Sequence, residues 1–283
     1  MDADNFTVRR MKRAEMDLAV DWAAAEGWNP GLHDAKIFYS WDGKGFFTAA
    51  SGGEPLGFIS AVAYGENYGF VGFFVVKPEL RGHRIGVELG RAALARLEGR
   101  NIGIDGVLNK VKNYQAFGFK MAHKNSRYMG VNRRPQAPTG VADIKQAPLP
   151  AVLEYDAECF GQPRVKFVKN WIAQPDSLGA AVLAGGGKLG GYAMARKCRD
   201  GYKIGPLFAD DETLAARLLD ALLARLPEGE KYFLDVPETN AAAVALAQKR
   251  GLAQVFSTAR MYNRYPPDLP ASKIFGITSF ELG

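Results

Sequence analysis

The sequence predicts an α+β protein made of two similarly built halves, each a mixed, mostly antiparallel sheet flanked by helices. Three observations carry this. The chain has 283 residues, 47% of them apolar and 23% charged, enough to bury a real core but long for a single modest domain. Short echoes recur at one offset of 133 residues: Leu56-Gly57 returns as Leu189-Gly190, Gly118-Phe119 as Gly251-Leu252, and Arg127-Tyr128-Met129 as Arg260-Met261-Tyr262. Segments of helical and strand periodicity also follow one another in the same order in both halves.

In the first half, residues 15–28 carry the apolar spacing of an amphipathic helix, and a shorter helix is expected over 33–41. Residues 46–50, 56–64 and 70–76 are rich in aromatic and β-branched side chains and are separated by turns such as Ser51-Gly52-Gly53-Glu54, which predicts an antiparallel meander. A helix over 84–97, a strand over 102–107, a short helix over 109–117 and a strand over 119–130 complete this half. The second half is expected to place helices at 151–160 and 165–173 and strands at 180–183, 190–197 and 202–208. Helix 212–226, strand 232–236, helix 240–249 and strand 254–262 follow. The C-terminal run 273–283 reads as strand-like, fitted to complete a sheet or to line an acceptor cleft. Asn132 to Gly140 carries prolines and glycine that break periodicity. The expected division is therefore 1–135 and 136–283.

Composition narrows the class of protein. No stretch approaches the roughly 20 apolar residues of a membrane span, and the N-terminus lacks the apolar core of a signal peptide, so a cytoplasmic protein is expected. Cys159 and Cys198 are too few and too far apart for a disulfide framework or a metal site, and free thiols with no metal are expected. The net charge of +6 is spread along the chain without a run of like charges. That argues against a nucleic-acid partner.

The segment from Phe73 to Gly86 has the most chemical content. It reads as a strand, a turn at Pro78, a glycine-bearing basic loop and the first turn of a helix. Small residues at Gly82 and Gly86 allow backbone to approach a ligand, the amides of the helix start are unpaired, and Arg81 and Arg84 add positive charge. This is a cradle for a diphosphate. The run Arg81, Gly82-His83, Arg84, Ile85, Gly86 resembles the acyl-CoA loop of the GNAT superfamily of N-acetyltransferases, with Arg84 standing where that family commonly has its first glycine. The likeness is strong over residues 70–130 and weaker over the rest, and implies tandem GNAT-like domains.

The resemblance implies that Phe74, Val75 and Val76 lie along the pantetheine arm, where the backbone of Phe74 and Val76 leaves its neighbouring strand. It implies acetyl-CoA, or another acyl-CoA, as co-substrate on Arg81, Gly82, His83, Arg84, Ile85 and Gly86, with Asn109 bonding a pantetheine amide. Tyr114, four residues before Gly118-Phe119, would protonate the departing thiolate. For the general base the alternatives are Glu66, Asp105 or an ordered water chain. No Ser-His-Asp or Cys-His arrangement supports covalent catalysis. The implied reaction is direct attack of an amine on the acyl-CoA in a ternary complex; the acceptor is a small-molecule amine, with a protein amine as the alternative. A noncatalytic acyl-CoA sensor is the rival reading. In the second half the matching loop is acidic, Ala209-Asp210-Asp211-Glu212. Asp210 or Asp211 can cap its own helix there, so this half is expected to be a degenerate GNAT-like domain that does not bind CoA through that loop. The sequence is silent on oligomeric state.

Overall fold

Two glycines at positive φ, Gly52 (57°) and Gly53 (87°), turn the chain between β2 (Phe46–Ser51) and β3 (Glu54–Tyr64). A two-residue turn of this kind needs left-handed backbone at both positions, which only small residues adopt cheaply. β4 (Tyr68–Val76) pairs antiparallel with β3, giving the expected meander, and β1 (Thr7–Arg10) adds an outer strand that the sequence did not suggest. The computed structural model describes residues 5–184 and 188–283. Helices α1 (Arg13–Ala25) and α2 (Asp34–Trp41) precede the meander; α3 (Arg84–Arg96), β5 (Asn101–Val107), α4 (Val111–Ala116) and β6 (Lys120–Val131) follow it.

The second half repeats this order. It contains the two-residue β7 (Ala142–Asp143), α5 (Leu149–Phe160), α6 (Val165–Ala173), β8 (Ser177–Leu183), β9 (Leu189–Lys197), β10 (Tyr202–Ala209), α7 (Glu212–Leu223), β11 (Lys231–Pro237), α8 (Ala241–Lys249) and β12 (Ala253–Tyr262). Of the strand-like C-terminal run only β13 (Ile274–Gly276) pairs, and the remainder turns into the interior.

Among the described residues the strands form one continuous sheet in the order β1-β2-β3-β4-β5-β12-β6-β11-β10-β9-β8-β7, with β13 on β10. The two halves exchange their last strands. β12 lies between β5 and β6, and β6 lies between β12 and β11. A matched pair of buried ion pairs fastens the exchange: Arg127 of β6 grips Asp235 of β11 at 2.6 and 2.8 Å, and Arg260 of β12 grips Asp105 of β5 at 3.0 and 2.6 Å. These arginines are the ones echoed at the 133-residue offset. The segment 132–138 has no regular structure, yet Asn132 is buried and its side-chain amide donates to the carbonyls of Leu223, Leu226 and Pro227.

α3 and α4 cover one face of the first half and α7 and α8 the same face of the second, each over its own apolar cluster. On the other face α1, α2, α5 and α6 share one cluster across both halves, in which Phe38 stacks on Phe167 and Trp171 with centroids 6.5 and 6.0 Å apart. Stacked aromatics of this kind add to the burial that holds the halves together. Phe38, Tyr39, Trp41 and Tyr64 belong to this cluster; Trp41 stacks on Tyr64, whose hydroxyl donates to the Leu282 carbonyl at 2.7 Å.

Candidate active site

β4 and β5 run parallel and are paired only from Tyr68↔Asn101 to Val71↔Ile104. Beyond that point the strands part, because β4 bulges: Phe58 faces Val75 and Ser60 faces Gly72, which leaves Phe73 and Phe74 opposite the single residue Ile59. Phe73 takes a positive φ of 46°, a conformation a bulky side chain adopts only where its surroundings enforce it. β5 leans instead toward β12, pairing through Thr258↔Val107. The result is a fork whose β4 arm, residues 72–76, has no strand partner on the β5 side.

The fork opens into a cleft of about 560 Å³. Phe74, Val75, Val76 and the loop residues Arg81, Gly82, His83 and Gly86 line one side; Asn109, Asn113 and Tyr114 lie on another, and Trp28 with Phe256 and Ser257 of β12 close it. The second half therefore supplies a wall of the first half's cleft. Gly82 needs its glycine for a φ of 90°, while Arg84 is the first helical residue of α3, so the residue that departs from the GNAT pattern sits in ordinary right-handed backbone. Ile85 is fully buried and seats α3 in the core. His83 is the N-cap, yet no side chain caps α3. The amides that begin this helix face the cleft without a self-supplied acceptor, which suits an anion.

Arg81 is less free than expected. Its Nε donates to the Val76 carbonyl at 3.0 Å and its guanidinium pairs with Glu26, the C-cap of α1. It therefore braces the end of β4 as well as charging the loop, and it takes up one carbonyl that the pantetheine arm was expected to meet. Arg84 is mostly exposed and lies 3.6 Å from Glu88.

Tyr114, on α4, borders the main cleft, a smaller cavity of about 80 Å³ at the floor of the fork, and an apolar slot of about 260 Å³ between α3 and α4. Its ring lies on Gly106, where a Cβ would come within 2.6 Å of the ring carbon Cδ2. Burial pushes the Tyr114 hydroxyl up to about 12. Asn109 sits in a 3-10 turn over Leu108–Lys110, just past β5, with its side chain exposed at the cleft. Glu66 is a correction: it lies exposed in the β3–β4 turn at the paired end of the fork and borders none of these cavities. At about 3.3 Å per residue, the six steps of β4 from Tyr68 to Phe74 alone keep it roughly 20 Å from Phe74. Asp105 does border the small cavity, but Arg260, Asn125 (2.7 Å) and Thr258 (3.3 Å) all bond its carboxylate.

The C-terminal run, expected to complete a sheet or to line an acceptor cleft, also reaches the site, through residues the sequence did not single out. The C-terminal segment passes beneath the fork: a Cβ at Gly72 would fall inside the Glu281 carbonyl, and Phe280 and Glu281 border the small cavity. What marks Glu281 in the sequence is that it is the one carboxylate in the strand-like run Lys273 to Gly283.

In the second half the equivalent fork is closed. β10 and β11 are parallel from Tyr202↔Tyr232 to Ile204↔Leu234 and then part, but β13 fills the gap, with Gly276 opposite Leu207 and the Ile277 amide donating to the Asp235 carbonyl at 2.9 Å. The helix cradle is filled too. Asp211 caps α7 by accepting from the Leu214 amide at 2.8 Å, and Asp210 is held by Tyr155 and Lys273. The position 133 residues beyond Tyr114 is Ala247.

A splayed β4–β5 fork, an uncapped helix start and a tyrosine beside it define a class of acyl-transferring proteins, and comparison with known proteins agrees. Residues 12–119 match the acetyltransferase (GNAT) family and residues 152–276 the acetyltransferase (GNAT) domain. The chain is 32% identical over 279 residues to the holothin acyltransferase of Pseudoalteromonas sp. (strain SANK 73390), covering 98% of this chain and 95% of that protein. A Pyrococcus horikoshii protein described as a candidate acetyltransferase superposes with a TM-score of 0.84 at 21% identity, covering 99% and 96% of the two chains. A tandem GNAT protein from the clavulanic acid biosynthesis pathway superposes at 0.66 and 16% identity, covering 93% and 100%. The chain belongs to the GNAT acyltransferases, with two GNAT domains in tandem. It is accordingly an acyltransferase rather than the ligand sensor of the rival reading.

Proposed function

We propose that the first half transfers an acyl group, acetyl in the simplest case, from acyl-CoA to an amine by direct attack while both substrates are bound. The observation that supports this most is the single open fork: its unpaired β4 arm leads from the uncapped start of α3 to Tyr114. In this reading the diphosphate rests on the amides of residues 82–86, the pantetheine arm follows Phe74 and Val75, and an N–H of the bulge receives the oxyanion of the tetrahedral intermediate. A preorganised donor of that kind is worth about 3 kcal/mol. Holding both reactants in the cleft supplies much of the remaining acceleration. Tyr114 is protonated at neutral pH, as a tyrosine's ordinary value of about 10 already ensures and burial reinforces, so it has a proton to give to the leaving thiolate.

The acceptor in this proposal is a small-molecule amine. The relative's name gives holothin as what that protein acylates, and the small cavity beside Tyr114, walled by Trp28, Phe256 and Phe280, suits a compact acceptor. The second half does not take CoA in this reading, because its own chain occupies both the fork and the helix cradle.

Acetyl-CoA titration combined with thiol release over a panel of amines tests the proposal. Arg81→Glu is expected to weaken acetyl-CoA binding at least 100-fold. Tyr114→Phe is expected to leave binding within a factor of two or three and to lower kcat roughly 100-fold, the usual scale for a lost general acid. Equal loss of binding and turnover in the tyrosine variant would remove its assigned role.

A further inference from the structure

We propose that Glu281, carried on the C-terminal segment of the second half, is the base that takes the proton from the acceptor amine in the first half's active site. The proposal rests on the acyl-CoA and amine reading above and supplies what that reading lacks, a carboxylate at the fork with an unengaged oxygen.

Glu281 is 3% exposed and borders the cavity of about 80 Å³ that Tyr114, Phe74 and Gly72 also border. Its Oε2 is buried and has no hydrogen-bond partner. A buried carboxylate oxygen left unpaired costs free energy unless something else compensates, and this one belongs to a residue that borders a cavity able to take a ligand or water. A cavity of this volume holds a few waters or an amine with its nearest carbons. Glu281 does not drift in this position. The close approach at Gly72 fixes its backbone against β4, and the Tyr64 hydroxyl holds the next carbonyl, Leu282, at 2.7 Å. Further back, Arg164 donates to Thr278 at 2.7 Å.

Charged groups face Glu281 from several strands. Lys203 of β10 lies 3.9 Å from Oε1 and donates to the Trp28 carbonyl at 2.9 Å. Arg127 of β6 and Arg196 of β9 contribute further positive charge, but each is matched, by Asp235 of β11 and by Asp34 of α2. Lys203 is thus the cation left for Glu281. At 3.9 Å this pairing is loose, and burial and then Arg127 depress the Lys203 ammonium. Asp105, the other carboxylate on the cavity, already accepts from three side chains and is less free to take a proton.

The step balances without a further reagent. The amine lone pair forms the N–C bond, the C–S bond breaks, the proton lost by nitrogen passes to Glu281, and the thiolate takes the proton of Tyr114. Both residues border one cavity, so the Glu281 proton can return to the Tyr114 oxygen through a water, and the products are an amide and free thiol.

Glu281→Gln, made in the full chain, is expected to bind acetyl-CoA as the wild type does and to lose at least 100-fold in kcat. Its rate should rise with pH up to the amine's own pKa, where the wild type levels off lower. Glu281→Asp keeps the charge beside Lys203 but withdraws it by one methylene; it is expected to melt near the wild type and to lose about 10-fold in kcat. In Glu281→Ala, formate should restore part of the rate in a concentration-dependent way. Wild-type kcat and pH profile in both the Gln and the Asp variants would overturn the proposal, as would a slow Gln variant with an unchanged pH profile and no formate rescue of Ala, the pattern of a merely structural role. Failure of the underlying reading looks different: wild-type protein would then release no thiol from acetyl-CoA with any amine.

Discussion

The two forks of this molecule start from the same plan and end in opposite states. In each, two parallel strands part after three or four paired residues, and a glycine stands where they part, Gly72 in one and Gly205 in the other, 133 positions on. Both glycines receive the C-terminal segment: Glu281 packs on Gly72, and the carbonyls of Ile277 and Thr278 would lie 2.6 and 2.7 Å from a Cβ at Gly205. At β10 the segment enters the gap as a strand, whereas at β4 it lies beneath the gap and leaves it open. The adjoining helices follow suit, α7 capped by Asp211 and α3 by no side chain. A cleft in this fold is thus a place where the chain declines to satisfy its own backbone, and the neighbouring repeat shows how little chain is needed to satisfy it.

The contrast can be broken at three points, in descending order of effect. The exchanged ion pairs come first. Asp235→Asn and Asp105→Asn each leave a buried arginine without its counter-charge and are expected to destabilise the fold by about 3–5 kcal/mol in denaturant titrations. Burial pulls the Asp235 carboxyl up, but the charge and two hydrogen bonds of Arg127 outweigh it and hold it below its ordinary value. Its contribution is therefore complete above about pH 4 and is lost as pH falls through the depressed native value. The acid limb of the stability curve should flatten in Asp235→Asn.

The glycines come next. Gly205→Ala is expected to cost about 1–3 kcal/mol, as overpacking does, while leaving kcat per folded molecule within a factor of three. Gly72→Ala should cost at least as much in stability and also remove most turnover, because the backbone it displaces floors the active cleft. Equal kcat losses in the two variants would end the claim that only one fork works.

The smallest effect exchanges the caps. His83→Asp gives α3 the cap that α7 has and should stabilise the protein by about 1 kcal/mol while weakening acetyl-CoA binding 10-fold or more. Asp211→Ala should lose about 1 kcal/mol with no change in acetyl-CoA binding. A His83→Asp protein that binds acetyl-CoA normally would show that the helix start is not the cradle.

Much of this was legible in the residues because it is local. Element order, the glycine-basic loop, the meander turn at Gly52-Gly53 and the self-capping acid of the second half follow from periodicity, φ requirements and helix-end electrostatics, all short in range. The exchange of β6 and β12 was not legible. A strand's alternating pattern says which face is buried and nothing about which strand lies beside it, so an edge can be filled by the other repeat with no local trace. The clue, two arginines at one offset, served to mark a repeat and not a pairing. Arg81 was read as a free charge because its partner Glu26 is 55 residues away, and Glu66 entered as one alternative base for its nearness along the chain although it sits at the far end of β4 from the fork's opening. β1 and β7 were missed because four and two residues carry too little pattern.

The exchanged strands also set when this enzyme can come into existence. β5 gains its outer neighbour only after residues 253–262 have been made, and the floor beneath Gly72 only after residue 281. A nascent chain emerging from the ribosome with its whole first half complete would hold β5 as a bare edge, with Asp105 lacking its arginine and the cleft lacking a wall. Assembly of the candidate cleft thus waits on the second half, whose strand β12 and C-terminal segment supply its wall and its floor.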